Sequence, residues 1–154
     1  MAQEIERKFL IKHNTWPKLD GGKRYRQGYL STVKERTVRV RTVNGQGFIT
    51  VKGITIGAAR SEYEYEIPYA DANEMMERLC PRPLIEKRRY RIPYRGLIWE
   101  VDEFEGENRG LVVAEVELKS QEQVLSIPEW VGQEVTQDAR YFNDSLALHP
   151  FATW

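Results

Sequence analysis

Glu4-Ile5-Glu6-Arg7-Lys8 is the stretch of sequence that says most about the fold. Side chains alternate across the two faces of a β-strand, so this stretch, read as a strand, places Glu4, Glu6 and Lys8 on one face. Ile5 lies on the other face. Two carboxylates followed by an ammonium contribute little to a hydrophobic core, but they suit a divalent cation and the anion that it carries. We therefore expect a strand whose charged face has a chemical role.

The size and charge of the chain limit the classes of protein to consider. Its 154 residues fit one domain, and a hydrophobic content of 41% is enough for a core. We predict a single domain over residues 1–154. The 23 Lys and Arg residues balance the 23 Asp and Glu residues, so the formal net charge is zero. We therefore expect neither duplex nucleic acid nor a membrane as a partner.

The cysteine and histidine content points to a reducing compartment. The lone Cys80 cannot form a disulfide within the chain, and no Cys/His set has the spacing of a zinc site. The sequence also lacks the pattern of a signal peptide and any long apolar run. We expect a cytoplasmic protein.

Most of the chain alternates apolar and charged residues with the period of two that is typical of β-strands. Asn44-Gly45 and Arg95-Gly96 mark tight turns between such strands. A helical period occurs over residues 72–80, with Asp71 as a candidate N-cap. The segment from Ser126 onward also reads as helical, because its first residues fit a capping box. The sequence thus predicts about eight strands, one central helix and a helical tail.

Alternation alone leaves two β architectures open. In a sandwich, the charged faces contact solvent and the apolar faces form the core, which is the commoner arrangement. In a closed barrel wide enough for a ligand, the charged faces line the lumen and helices cover the apolar faces. The pattern by itself favours the sandwich.

The charges are sorted by sign within the strands, which a solvated face does not require. Like charges two residues apart repel, so each row needs an opposite row or a ligand that neutralises it. The acidic rows are Glu4/Glu6, Glu62/Glu64/Glu66 and Glu115/Glu117, and the basic rows are Arg39/Arg41 and Lys87/Arg89/Arg91.

The residue types in these rows indicate the ligand. Arg dominates the basic rows, and its planar guanidinium suits bidentate contacts with phosphate. The acidic rows offer carboxylate oxygens without His or Cys, which is the ligand set that Mg²⁺ or Mn²⁺ prefers. No glycine-rich phosphate loop and no Ser/His/Asp set is evident. The rows therefore predict a polyanionic substrate delivered as a metal chelate.

Glu4-x-Glu6-x-Lys8 resembles the ExExK signature of the CYTH superfamily, the triphosphate tunnel metalloenzymes. Five further blocks follow in the family's order over essentially the whole chain: Arg39-Val40-Arg41, Thr50-Val51-Lys52-Gly53, Arg60-Ser61-Glu62-Tyr63-Glu64, Lys87-Arg88-Arg89 and Glu115-Val116-Glu117. The resemblance implies a mainly β fold, a closed eight-stranded antiparallel barrel with a charged lumen and a few flanking helices. This expectation replaces the sandwich.

The resemblance also implies a role for each charged row. The implied metal ligands are Glu4, Glu6, Asp102, Glu115 and Glu117. The implied triphosphate ligands are Lys8, Arg39, Arg41, Lys52, Lys87, Arg89 and Tyr29, with Tyr29 also expected to contact Lys8. The implied catalytic residues are Glu62, Glu64, Lys87 and Lys8, and the sequence does not choose the proton acceptor among them. Tyr141, Asn143 and Leu146 resemble a helix that closes one end of the tunnel.

The implied activity is metal-dependent hydrolysis of a terminal phosphoanhydride, with two Mg²⁺ or Mn²⁺ ions bound alongside the substrate. Compact bacterial members of the family favour inorganic triphosphate, so conversion of tripolyphosphate to pyrophosphate and phosphate is the first expectation. A class IV adenylyl cyclase and a thiamine or nucleoside triphosphatase are the alternatives within the family. Outside the enzymes, a polyphosphate- or nucleotide-binding protein is the alternative. Homodimerisation is expected by analogy.

Overall fold

The structure, a computed structural model, describes residues 2–13 and 15–154. Met1 and Asn14, which belong to the predicted domain, lie outside the described residues, and the single-domain organisation stays a prediction. The strands are β1 (Gln3–Ile11), β2 (Lys23–Ser31), β3 (Thr37–Val43), β4 (Gln46–Lys52), β5 (Ala59–Ile67), β6 (Ile85–Tyr94), β7 (Leu97–Phe104), β8 (Val112–Glu117) and β9 (Val131–Glu134). The α-helices are α1 (Tyr69–Arg78) and α2 (Asn143–Leu148).

Eight of the strands close into an antiparallel barrel. Their order around the ring is β5-β4-β3-β2-β6-β7-β8-β1, and β1 returns to β5, where Glu4 lies opposite Arg60. The ninth strand, β9, pairs with the far end of β1, where Ile11 lies opposite Val131. The predicted closed barrel is therefore confirmed, and the sandwich that alternation alone favours is wrong. The ring closes through β1, whose pairings with β5 and β8 join the two ends of the sheet.

Two tight turns follow from local residue choice. Asn44 and Gly45 have φ angles of 51° and 74°, and Arg95 and Gly96 have φ angles of 47° and 83°. A two-residue hairpin turn with positive φ at both positions matches the twist of the flanking strands, and Asn-Gly adopts it at the lowest cost. The β3–β4 and β6–β7 hairpins predicted from these dipeptides are thus present.

The apolar faces of the strands point away from the lumen and are buried in three separate hydrophobic clusters. The largest cluster surrounds Trp99, which is fully buried and packs against Phe9 and Trp130 at ring distances of 5.4 and 6.0 Å. On β3, Val40 is covered by α1 through Ala72 and Met76 (with Cys80 beyond it), as the helical period predicts. A third cluster lies beneath α2. The core is therefore a shell around a polar interior.

The helical segments differ from the prediction at two places. Pro68 occupies the N-cap position of α1, and Asp71 lies in its first turn instead of capping it. The segment after Ser126 is extended and forms β9, because the open edge of β1 beyond its pairing with β5 accepts another strand. A short 3-10 helix follows at Ala139–Tyr141, and an α-helix begins only at Asn143. Within the described residues, none of the helices has the length and apolarity needed to span a membrane.

Replacing Trp99 by Ala should lower the free energy of unfolding by about 3–5 kcal/mol, because it empties the centre of the largest apolar cluster. Equilibrium unfolding in urea, followed by circular dichroism, measures the change. Val124→Ala is the control, because Val124 is 90% exposed and should leave stability within about 0.5 kcal/mol. Equal losses in the two variants would contradict a core organised around Trp99.

Candidate active site

The lumen of the barrel contains a cavity of about 290 Å³. It is lined by the inward faces of the strands, because the period of two sends every second side chain into the lumen. The predicted site residues that line it are Glu4, Glu6, Lys8, Tyr29, Arg39, Arg41, Lys52, Glu62, Glu64, Lys87, Arg89, Glu115 and Glu117. The structure thus brings residues from strands far apart in the sequence to one cavity.

The antiparallel register places acidic rows beside basic residues. Lys8 lies opposite Glu115 in the β1–β8 pair, and Lys52 lies opposite Glu62 in the β4–β5 pair. Lys8 Nζ is 3.2 Å from Glu115 Oε2, and Lys52 Nζ is 3.4 Å from Glu62 Oε2. Lys52 Nζ also lies 2.9 Å from Glu4 Oε2 across the ring closure. Pairing between strands thus compensates some of the charges that are sorted by sign, whereas Glu6 lies opposite another carboxylate, that of Glu117.

The carboxylates of β1 and β8 are neutralised unevenly by their neighbours: the pKa values of Glu6 and Glu117 are raised, whereas for Glu115 burial is outweighed by Lys8 and Arg89, which hold its pKa well below its usual range. Burial raises the pKa of Glu6 well above its usual range, and the nearby Glu115 and Glu4 raise it further, against the opposing effect of Lys8. Burial also raises the pKa of Glu117, with contributions from Glu4 and Glu62. For Glu4, burial is outweighed by Lys52, and its pKa falls to about 2. This acidic cluster, Glu4, Glu6, Glu115 and Glu117, would be stabilised by an added cation.

The chemistry of the acidic cluster fits a hard divalent cation. All its donor atoms are carboxylate oxygens, the ligands that Mg²⁺ and Mn²⁺ prefer. Glu4 Oε2 is buried and, although near Lys52, accepts no hydrogen bond of good geometry from the described residues. In residues 2–13 and 15–154, no three His, Cys, Asp or Glu side chains converge as a ready-made ion site. The residue types of the cluster thus fit a hard divalent cation.

Asp102 lies with the basic row. It is fully buried, and its carboxylate accepts hydrogen bonds from Lys87 Nζ at 2.7 Å, from Arg89 Nε at 2.7 Å and from Arg89 Nη2 at 2.8 Å. Burial disfavours its ionised form, but Arg89 and Lys87 outweigh burial, and the pKa of Asp102 is lowered. Asp102 is thus the counter-ion of two cations, and its predicted role as a metal ligand stays a prediction.

Lys87 is the most deeply buried cation of the cavity wall. Burial lowers its pKa to about 7, because Asp102 only partly offsets the loss of solvation and the nearby Arg89 and Arg41 repel its charge. Lys8 shows the opposite balance. Burial lowers its pKa, but Glu115 and Glu6 outweigh burial, and the net shift is upward. The two lysines thus hold their protons with very different strength.

Glu62 and Glu64, the glutamates predicted as catalytic, contact cations of the neighbouring strands. Glu64 Oε2 accepts from Thr50 Oγ1 at 2.8 Å and from Arg39 Nη2 at 3.2 Å. Glu62 pairs with Lys52, as described above. The roles of these residues in proton transfer stay predictions. The structure does place them within reach of the cavity.

Uncharged residues also contribute to the site. Of these, only Tyr29 is among the site residues predicted from the sequence. The ring of Tyr25 lies between two guanidiniums, 4.8 Å from Arg41 Cζ and 5.1 Å from Arg89 Cζ. Gln27 and Asn143 bond to the cations of the basic rows. The hydroxyl of Tyr29 lies 3.5 Å from Gln27 Nε2, and no hydrogen bond to Lys8 occurs among the described residues. Tyr25 shares a strand face with Gln27 and Tyr29, so the period of two is the signal that finds it.

Comparisons with known proteins agree with this geometry. The family model described as CYTH domain matches residues 2–149. A protein of Acetivibrio thermocellus named inorganic triphosphatase is 50% identical over 98% of this chain and 97% of its own length. One of the same name from Nitrosomonas europaea is 39% identical over 94% of this chain and 97% of its own length. A crystal structure of an inorganic triphosphatase superposes with a TM-score of 0.67 at 34% identity, covering 94% of this chain and 97% of that one.

Replacing Asp102 by Asn should lower the free energy of unfolding by about 3–5 kcal/mol, because two buried cations lose their counter-ion. Urea unfolding of the substrate-free protein measures this change. Asp71→Asn is the matched control, because Asp71 is exposed in the first turn of α1 and its loss should cost about 1 kcal/mol or less. A Asp102→Asn variant as stable as the control would mean that Asp102 does not balance the basic row.

Proposed function

The chain belongs to the CYTH domain family, and on this premise we propose that it hydrolyses inorganic tripolyphosphate to pyrophosphate and phosphate in a metal-dependent reaction. One observation carries the proposal: the acidic cluster and a group of cations line the same cavity inside the closed barrel. These cations are Lys8, Arg39, Arg41, Lys52, Lys87 and Arg89. The two curated relatives named above, which align with nearly the whole chain, support the choice of activity.

The size of the cavity supports a compact substrate. Small-molecule sites have volumes of about 300–1,000 Å³, and the cavity of about 290 Å³ is at the lower end of that range. A linear phosphate chain needs no pocket for a base or a sugar. Inorganic tripolyphosphate is therefore preferred over ATP and thiamine triphosphate as the substrate.

The cations of the wall would bind and orient the phosphate chain. Phosphoryl transfer depends mainly on positioning the reactants and on neutralising charge on the phosphate oxygens. The guanidiniums of Arg39, Arg41 and Arg89 offer several parallel donors each, which suits bidentate contacts with phosphate. Lys8 and Lys52, paired with glutamates of the acidic cluster, lie where phosphate chain and ion would meet.

We propose that Glu4, Glu6, Glu115 and Glu117 hold the metal, as Mg²⁺ or Mn²⁺ and as two ions once substrate is bound. When bound, such ions neutralise phosphate oxygens and lower the pKa of a water molecule that attacks phosphorus. The acidic cluster supports this role, because its carboxylates repel one another and because it offers only oxygen donors.

Lys87 is suited to accept the proton of the attacking water. Its pKa of about 7 leaves a large neutral fraction near neutral pH. Glu62 and Glu64, the other candidates, form ion pairs with Lys52 and Arg39, as Lys87 does with Asp102, so the lowered pKa of Lys87 is what favours it. We therefore propose Lys87 as the proton acceptor and the two glutamates as residues that orient cations of the wall.

The compartment and the partners of the protein are also part of the proposal. We propose that it acts in the cytoplasm on a small molecule, with neither nucleic acid nor a membrane as partner. The single Cys80, buried and free, is compatible with a reducing compartment. Homodimerisation stays a prediction, and sedimentation equilibrium of the purified chain would test it.

Phosphate release from tripolyphosphate, ATP and thiamine triphosphate tests the activity and the substrate together. We expect the fastest release from tripolyphosphate in Mg²⁺ or Mn²⁺ and none in EDTA. Cyclic AMP is assayed in the same ATP reactions. Cyclic AMP without phosphate release would replace the triphosphatase by a cyclase. Tight tripolyphosphate binding in EDTA with no turnover in either metal would instead identify a binding protein.

Replacing Glu6 by Gln should reduce metal-dependent turnover on the order of hundredfold, because a ligand of the proposed metal site is lost. The loss should be partly recovered at high Mn²⁺ concentration, so initial rates are measured across a metal titration. Glu122→Gln is the control. It removes the same charge from an exposed residue that does not line the cavity. Rates of Glu6→Gln near those of the wild type would refute the proposed metal site.

A further inference from the structure

Two amides, one fully buried and one partly buried, connect Arg41 and Lys87 of the cavity wall. Arg41 Nε donates to Gln27 Oε1 at 3.0 Å, and Gln27 Nε2 donates to Asn143 Oδ1 at 3.1 Å. Lys87 Nζ donates to the same Asn143 oxygen at 2.9 Å. Gln27 on β2 is fully buried, and Asn143 is the first residue of α2. The result is a continuous chain of hydrogen bonds from one cation to the other.

We propose that Gln27 and Asn143 are positioning residues that hold Arg41 and Lys87 against the phosphate chain, and that Gln27 does so without neutralising the charge of Arg41. The inference rests on the proposed function, because it assigns these cations to a polyanionic substrate. It assigns a positioning role to the two amides, and one of the residues that they hold, Lys87, is the proton acceptor proposed above. It explains why uncharged acceptors occur in a cavity wall where most other contacts are ion pairs.

The orientation of each amide is determined by the donors around it. A Lys ammonium only donates, and a guanidinium only donates, so each must face an amide oxygen. Asn143 Oδ1 accepts from both Lys87 and Gln27, which uses both of its lone pairs. Turning either amide by half a rotation would place an NH₂ group against a cation. The pair therefore has one satisfied arrangement, and it fixes both cations.

A neutral acceptor leaves the positive charge of its cation available to the substrate, whereas a carboxylate neutralises it. Among the described residues, Arg41 has no carboxylate within ion-pair distance, and it lies near Arg39 and Arg89. Gln27 satisfies one of its donors and leaves its positive charge intact. A glutamate at that position would form an ion pair with Arg41 and compete with phosphate for it. The amide thus favours binding of an anion at some cost in stability.

Asn143 also ties the C-terminal segment to the cavity wall. It lies 116 residues from Gln27 and 56 residues from Lys87 in the sequence, so only the folded chain brings them together. Leu146, one turn further along α2, is fully buried in the third apolar cluster and anchors the helix. The position of Lys87 therefore depends on the seating of α2.

Replacing Gln27 by Glu tests the inference, because it keeps the shape of the side chain and adds a charge beside Arg41. The dissociation constant for tripolyphosphate, measured by calorimetry in EDTA, should rise on the order of tenfold or more. The midpoint of urea unfolding should change little, because the ion pair that Arg41 gains offsets the hydrogen bond from Gln27 Nε2 to Asn143 that is lost. A residue that only fills space would not separate these two readouts. An unchanged dissociation constant would overturn the inference.

Asn143→Asp is the second variant, for the case that Gln27→Glu does not fold. Asn143 is only partly buried, so a charge is better tolerated there. It should weaken tripolyphosphate binding in the same way, whereas Gln133→Glu, which adds the same charge at an exposed position on β9, should not. Binding by Asn143→Asp equal to that of Gln133→Glu would overturn the inference. The affinities are measured without metal, so they test the positioning role of the two amides independently of turnover. A wild type that binds tripolyphosphate but releases no phosphate would overturn only the proposed function.

Discussion

The charges enclosed by the barrel must compensate one another, because an ionised group taken out of water without a partner is strongly destabilising. The register between neighbouring strands provides this compensation. Lys8 opposite Glu115 and Lys52 opposite Glu62 are two of the pairs that result. A slip of one residue in any strand would turn its charges into the apolar covers and its apolar side chains into the lumen. One alternation of residue types thus determines register, core and site together.

Compensation is incomplete at two places, and these are the places suited to chemistry. The pKa of Glu6 is raised well above its usual range, and that of Lys87 is lowered to about 7. A bound cation would favour the ionised carboxylate of Glu6. The neutral form of Lys87, which its lowered pKa favours, is the form that can accept a proton. A metal-bound polyanion therefore completes an electrostatic balance that the folded chain leaves open.

Local pattern predicts the strands and the tight turns well, but it cannot predict the closure of the sheet. A sandwich and a barrel share the same alternation, and the choice depends on a long-range pairing, with Glu4 opposite Arg60. The charged residues of the site are predictable from their types and rows. The alternation places Tyr25 and Gln27 on one face of β2, and the family resemblance points to Asn143, but the roles of these three are not predictable, because uncharged residues are common on strand faces and in short helices. Their meaning depends on which cations they meet.

The two kinds of acceptor in the cavity wall have different consequences for anion binding. Arg89, which donates to both oxygens of Asp102, has much of its charge neutralised by a buried carboxylate. Arg41, which donates to the amide of Gln27, keeps its charge. Attraction for a polyanion therefore depends less on the number of cations in the lumen than on how they are held. Among the described residues, Arg41 bonds to an amide and has no carboxylate partner, so its charge remains fully available to phosphate, whereas Arg89 and Lys87, which both bond to Asp102, also stabilise the barrel.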